Sequence, residues 1–240
     1  MLLPEGVTRD SGKTKRAPAM MAELIERYDG GVVELDWTTP FELLIATILS
    51  AQSTDKKVNE VTATLFEKYR EPADYLSVDE TQLQDDIRQT GFYRQKTKAI
   101  RGVCSHLLER FGGEVPTAMA DLITLPGVAR KTANVVQSAA FPEVHATDPD
   151  AGVAVDTHVT RLSRRFVFTR QTDPVKIERD LMRLLPREQW GPASLCIILH
   201  GRRVCDARRP RCRECPIEPL CPSSLIAGKR DKAGQAVGLG

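Results

Sequence analysis

Residues 119–136 read MADLITLPGVARKTANVV. Met119, Leu122 and Ile123 recur at helical spacing, Pro126-Gly127 predicts a tight turn, and a helical pattern resumes immediately after it. Such a hairpin presents backbone N–H groups at the start of its second helix. Amides without an intrahelical acceptor and the positive end of the helix macrodipole both attract an anion, so the motif suits a phosphate and needs no base contact. A plain helix–turn–helix corner is the competing reading of the Pro-Gly pair taken alone.

The same helical period runs outward in both directions. Apolar residues recur three and four apart in Met20, Met21, Leu24, Ile25 and Tyr28, in Phe41, Leu44, Ile45, Ile48 and Leu49, and in Val58, Val61, Leu65 and Phe66. Thr39-Pro40-Phe41-Glu42 predicts a capping box with proline at the first helical position, and Ser77-Val78-Asp79-Glu80 predicts a second one before Leu83 and Ile87. A longer helix follows Tyr93, with Ile100, Val103, Cys104, Leu107, Leu108 and Phe111 on one face and Gly112-Gly113 as its stop. Asp173-Pro174 opens another, through Ile177, Leu181 and Leu184. The strand-like runs Val32-Val33 and Phe166-Val167-Phe168 are too short and isolated to build a sheet, so the expected fold class is all-α. Residues 1–16 and 223–240, rich in Gly, Ser, Lys and Ala, are expected to be disordered tails.

Towards the C-terminus Cys205, Cys212, Cys215 and Cys221 form a C-x6-C-x2-C-x5-C cage, with Pro210, Pro216, Pro219 and Pro222 supplying turns. Thiolates are soft ligands that hold zinc or iron–sulfur clusters. Zinc ribbons pair two C-x2-C knuckles across a long spacer. Here only the middle pair is a knuckle, which favours a [4Fe–4S] cluster and leaves a zinc module as the alternative. A disulfide cluster would need an oxidising compartment. Met1 to Arg16 has mixed charge and no apolar core, so no secretion signal is read there, and the expected location is cytoplasmic, beside the nucleoid in a bacterium. Cys104 and Cys196 lie on apolar helical patterns and are expected to be buried thiols.

With 240 residues the chain can bury a sizeable core, and no run of eighteen apolar residues implies a membrane partner. A net charge of +2 excludes a broadly basic protein, so affinity for nucleic acid must come from local charge. Arg202, Arg203, Arg208, Arg209, Arg211 and Arg213 surround the cage against Asp206 and Glu214, and a second cationic stretch runs through Arg161, Arg164, Arg165 and Arg170. A solvated charged face is the plainer reading of both.

Taken together, ILSAQSTD at 48–55, LPGVARKTANVV at 125–136, AVDTH at 154–158 and the cysteine cage resemble the endonuclease III family of helix–hairpin–helix DNA glycosylases over roughly residues 20–221. The resemblance implies two helical lobes with a DNA cleft between them. Residues 33–147 would form a helical bundle carrying the hairpin, and 17–32 with 148–222 a cluster domain. It implies an enzyme of base excision repair that removes oxidised pyrimidines from double-stranded DNA and nicks the abasic site, acting as a monomer with a [4Fe–4S] cofactor. Lys131 would be the nucleophile and Asp156 the catalytic carboxylate. Gln52 and Phe92 would fill the gap left by an everted nucleotide, and Leu125, Gly127, Val128 and Ala129 would form the DNA-contacting hairpin.

Each of these residues has a plainer structural reading as well. Lys131 reads as a solvated helix lysine, Asp156 as a helix N-cap, Gln52 as a helix-end amide and Phe92 as a core ring. A free lysine has a reference pKa near 10.4, so the chemistry calls for surroundings that favour the neutral amine. The sequence departs from the family pattern in three places. Ala129 replaces a usual glycine, at a cost of about 1 kcal/mol if positive φ is required there. Residues 142–153 read as an extended loop, and Phe92 replaces a commoner leucine. A monofunctional mismatch adenine glycosylase, against which Lys131 and the early end of the chain count, and a noncatalytic DNA-binding scaffold are the other functional readings.

Overall fold

The computed structural model describes residues 6–227. Among them are twelve α-helices and no strand: α1 (Lys13–Arg27), α2 (Pro40–Leu49), α3 (Asp55–Lys68), α4 (Pro72–Ser77), α5 (Glu80–Ile87), α6 (Tyr93–Phe111), α7 (Met119–Leu122), α8 (Arg130–Ala140), α9 (Pro142–Thr147), α10 (Thr157–Arg165), α11 (Pro174–Leu184) and α12 (Trp190–Arg203). The all-α expectation holds. The helices fall into two compact units, Val33–Ala151 and the described parts of Met1–Val32 with Gly152–Gly240.

In the Val33–Ala151 unit α2 is the central element. Phe41, Leu43, Leu44, Ile45, Ala46, Ile48 and Leu49 are all buried, so the helix is apolar on nearly every side and packs among α3, α6 and α8. The predicted capping box is realised: Thr39 Oγ1 accepts the Glu42 N–H at 3.1 Å, and the Glu42 carboxylate accepts the Thr39 N–H at 3.3 Å. The box predicted at Ser77 is not. Ser77 ends α4 and its hydroxyl donates back to Asp74 O, while Asp79 alone caps α5 by accepting the Thr81 N–H at 2.8 Å. At the other end of the unit α6 stops at Gly112 (φ 62) and Gly113, whose N–H reaches Leu107 O at 3.0 Å, the six-residue closure of a glycine-terminated helix.

Of the loop expected over 142–153, residues 142–147 fold instead as α9, started by Pro142 in its first turn and carrying a buried His145, and 148–153 are turn and irregular backbone as expected. Asp148 ends it and turns its carboxylate inward, where Oδ2 accepts from Met119 N at 2.7 Å and Gln137 Nε2 at 2.6 Å. The extra residues therefore tie the start of α7 to the last turn of α8 rather than hang free.

The other unit packs α1 against α11 and α12, and α10 against α12. Met20, Met21, Leu24, Val159, Leu162, Phe166, Phe168, Ile177, Leu181 and Ile197 form its core. Phe166-Val167-Phe168 is a turn in which Val167 adopts φ 57, so that both phenylalanines point inward with ring centroids 5.4 Å apart. The expectation of a disordered N-terminal tail fails for the described residues 6–16. Arg9 pairs with Glu218 at 2.7 Å, and Arg16 is buried, donating to Phe166 O at 3.0 Å and Ser11 O at 2.7 Å. Polar composition misled there because two guanidinium groups find carbonyl and carboxylate acceptors on the core. Residues 223–227 are likewise tied down, with Ser223 Oγ donating to Arg165 O at 2.6 Å; the rest of both expected tails lies outside the described residues.

Candidate active site and cysteine cage

The hairpin forms as the sequence implied. Leu125 and Val128 are buried and anchor the turn, with the Val128 N–H donating to Leu125 O at 3.0 Å, while Gly127 and Ala129 are exposed. Gly127 adopts φ +78, and a β-carbon there would stand 3.1 Å from Ala99 Cβ; one on Gly102 would stand 3.3 Å from Pro126 Cβ. The turn thus sits on α6 through small residues on both sides. Ala129 has φ −76 and ψ 162, ordinary extended backbone, so the cost anticipated for a non-glycine residue at that position does not arise. Gly127→Ala is expected to lower stability by about 1–2 kcal/mol in denaturant unfolding, because alanine must enter the left-handed region against Ala99. Ala129→Gly should be nearly neutral.

Lys131 is the second residue of α8 and is exposed. No side chain caps α8, so its first amides are not taken by a side-chain oxygen at Ala129. Arg130 turns away, its guanidinium donating to Asp150 O at 3.0 Å.

Beside the hairpin an open groove of about 400 Å³ is lined by Gln52, Phe92, Lys96, Ala99, Gly127 and Thr132 among others. Gln52 (φ 53) and Phe92 (φ 48) are both left-handed non-glycine residues, a conformation that L side chains avoid unless the surroundings impose it. Both are exposed. At 54% exposure Phe92 is not a core ring. Asp55 is the first residue of α3, and Thr54 caps that helix by accepting the Lys57 N–H. Sequence reasoning passed over Lys96. It is buried, and its ammonium donates to Leu49 O at 2.7 Å and Thr90 O at 2.8 Å. Burial draws its pKa below the ordinary lysine value. The available signal was a lysine four residues before Ile100 and seven before Val103, on the apolar stripe of α6.

In the other unit Asp156 is the N-cap of α10, half-buried, with Oδ1 accepting the Val159 N–H at 2.8 Å. Among the described residues this is the carboxylate's one hydrogen bond. His158, two residues along, is held mainly by burial below the usual imidazole range; Asp156 opposes that effect and Arg161, 3.1 Å from Nδ1, adds to it. His200 is wholly buried between the Tyr28 hydroxyl, 3.0 Å from Nδ1, and Cys215 Sγ, 3.5 Å from Nε2. Burial and then Arg161 push its pKa down to about 4, so its imidazole is neutral.

Cys205, Cys212, Cys215 and Cys221 line one pocket together with Arg165, Pro210 and Glu218. Among the described residues no three His, Cys, Asp or Glu side chains are arranged to hold a metal ion; the four thiols instead surround the pocket wall. Burial pushes the Cys215 thiol up to about 12, and the neighbouring Cys221, Cys205 and Cys212 push the same way. Burial also raises Cys221. Cys104 and Cys196 are buried away from the pocket, each at about 12 through burial, as expected of core thiols. Two of the arginines that suggested a cationic face serve the loop itself. Arg161 donates to Cys205 O at 2.6 Å, and Arg165 to Cys205 Sγ at 3.3 Å, Asp206 O at 2.8 Å and Ala207 O at 3.0 Å. Asp206 folds the next turn by accepting the Arg208 and Arg209 amides at 2.9 and 3.3 Å, contacts that hold its carboxyl below the usual range and leave both guanidinium groups exposed.

Residues 45–187 match the family model for the HhH-GPD superfamily base excision DNA repair protein. Endonuclease III of Synechocystis sp. is 49% identical over 214 residues, covering 89% of this chain and 95% of that protein. Endonuclease III of Escherichia coli K12 is 40% identical over 209 residues, covering 87% and 95%. A solved non-covalent endonuclease III–DNA complex superposes with a TM-score of 0.79 at 42% identity, covering 88% of this chain and 96% of that one, and a trapped endonuclease III–DNA covalent intermediate gives the same values. A thermostable thymine-DNA glycosylase at 19% identity shares the fold, with a TM-score of 0.77. The hairpin, the exposed lysine beside it and the cysteine cage therefore stand in a member of the HhH-GPD superfamily, and within it the chain belongs to the endonuclease III family.

Proposed function

We propose that Lys131 and Asp156 carry the two reactions of this DNA glycosylase and abasic-site lyase of base excision repair, with oxidised pyrimidines in duplex DNA as substrates. The Lys131 amine attacks C1′ of the damaged nucleotide. The glycosidic bond breaks and the base departs with its electron pair, taking up a proton. The C1′–O4′ bond then opens, O4′ taking up a proton as the amine nitrogen loses one, and the resulting Schiff base acidifies the C2′ proton, whose loss expels the 3′ phosphate and nicks the strand. The Asp156 carboxylate stabilises positive charge developing at C1′ and receives a proton from the attacking amine. Its cap bond to Val159 fixes the orientation of the carboxylate through Oδ1.

A base inside a duplex is out of reach, so the nucleotide has to be everted at a cost of a few kcal/mol. Gln52 and Phe92 fill the gap it leaves. Amides at Gly127 and at the uncapped start of α8 hold a backbone phosphate, a contact that positions without reading sequence. The observation that carries this reading is the shared groove: two exposed left-handed side chains, Gln52 and Phe92, line it with Gly127 and Thr132, next to Lys131 in the chain. The test is a duplex with one thymine glycol. Excision with nicking, and a covalent adduct on borohydride reduction, are expected. Excision without nicking would make the chain monofunctional, and binding without either would make it a scaffold.

The cage fits a [4Fe–4S] cluster better than zinc. A single zinc draws its four sulfurs to about 2.3 Å of one point, whereas a cube is gripped at its corners by thiolates set apart. Burial raises the Cys215 and Cys221 thiols, and a cationic metal centre among them would favour their thiolate forms. Cys205, Cys212, Cys215 and Cys221 would be the ligands, with Arg165 and His200 as donors to Cys205 and Cys215. When bound, the cluster crosslinks the arginine loop, so that exposed Arg208 and Arg209 meet DNA phosphates from a fixed frame. Purified protein is expected to be brown with about four irons per chain. Cys212→Ala is expected to lower thermal stability and DNA affinity together. A colourless, zinc-loaded protein would favour the zinc module, and undiminished binding by Cys212→Ala would remove the loop from the DNA interface.

A further inference from the structure

Lys96 is buried to 4% exposure, whereas Gln52 and Gln95, which line the same groove, are exposed. Its two acceptors are informative. Leu49 is the last residue of α2, where a carbonyl lacks an intrahelical donor and the helix end is negative, and Thr90 closes the turn before Gly91. Gln52 follows Leu49 by three residues and Phe92 follows Thr90 by two. One ammonium therefore joins the roots of the two turns that hold left-handed, exposed, non-glycine side chains, and both side chains line the groove that Lys96 also lines. The turns belong to segments far apart in sequence, and Lys96 reaches a backbone carbonyl at the root of each.

We propose that Lys96 is a positioning residue that sets the spacing between Gln52 and Phe92, so that the two enter the duplex as a single wedge. The proposal rests on the gap-filling reading of those residues given above. Filling one gap requires both side chains at once, and two turns moving independently would have to be ordered at the moment of insertion; the lysine orders them beforehand. Its loss should therefore appear in base extrusion and not in the bond-breaking step.

The experiment compares thymine glycol opposite adenine, with 2-aminopurine as the neighbouring base, against thymine glycol opposite an abasic analogue, where no pairing has to be broken. For Lys96→Met, single-turnover excision from the paired duplex is expected to fall about tenfold or more, and excision from the unpaired one about threefold or less. The fluorescence rise of 2-aminopurine on binding should be largely lost, and Lys96→Arg, which can still donate to both carbonyls, should recover part of it. Equal losses on the two duplexes would show that the lysine merely holds the fold, and an unchanged fluorescence rise would equally overturn the proposal. Should Lys96→Met fail to fold, Gln52→Ala and Phe92→Ala in the native protein decide: the double variant is expected to be within about twofold of the worse single, whereas multiplying effects would show two independent residues. The fluorescence signal is separate from the chemistry. Native protein that extrudes the base without excising it would sink the glycosylase reading and leave the Lys96 proposal standing.

Discussion

Lys131→Ala is expected to abolish strand nicking and borohydride trapping on a thymine glycol duplex, with turnover down on the order of a thousandfold or more, since no other group replaces the lost amine as nucleophile. Lys131 is exposed near the start of α8, where alanine is at least as good a helix former, so stability should change by no more than about 0.5 kcal/mol. Affinity for undamaged duplex should fall only by the share of one surface cation. This combination separates a nucleophile from a structural or phosphate-binding lysine. A variant that still nicks would move the nucleophile elsewhere.

The second large effect is at Asp156, where two roles have to be separated. Asparagine is as good an N-cap as aspartate, so Asp156→Asn keeps the bond to the Val159 N–H and changes stability by a few tenths of a kcal/mol at most. The carboxylate charge is gone, however, and turnover is expected to fall about 10²–10³-fold, the usual cost of removing one electrostatic stabiliser from a transition state. Asp156→Ala should show the same loss of turnover and about 1 kcal/mol of lost stability besides, because the start of α10 is then uncapped. If Asp156→Asn keeps full turnover in single-turnover assays, the residue is a cap and nothing more.

Much of this was legible in the sequence because it rests on local rules. Helical period, the Thr39–Glu42 box, the glycine stop after Phe111 and the Pro-Gly hairpin each depend on residues a few positions apart, and each appears as read. Apart from the Ser77 box, where Asp79 two residues on takes the cap, the helix and tail readings that failed depend on distant partners. Nothing in residues 6–16 announces that Arg9 will meet Glu218 or that Arg16 will meet Phe166 O. The polar run after Phe141 looked like a loop because the inward turn of Asp148 onto Met119 and Gln137 lies beyond any local pattern. Backbone sign was equally hidden: Ala129 was suspected of positive φ and has none, whereas Gln52 and Phe92, ordinary residues by type, carry it. Lys96 was missed for a related reason. A lysine on an apolar stripe reads as a snorkelling surface residue until two carbonyls are found at its tip.

The central claim is that one identified amine forms the covalent bond to the sugar. Borohydride reduction of the native protein on a thymine glycol duplex, followed by protease digestion and mass mapping of the crosslinked peptide, tests it directly. The adduct is predicted on Lys131 alone. An adduct on any other lysine, or none from protein that nonetheless excises the base, would contradict it.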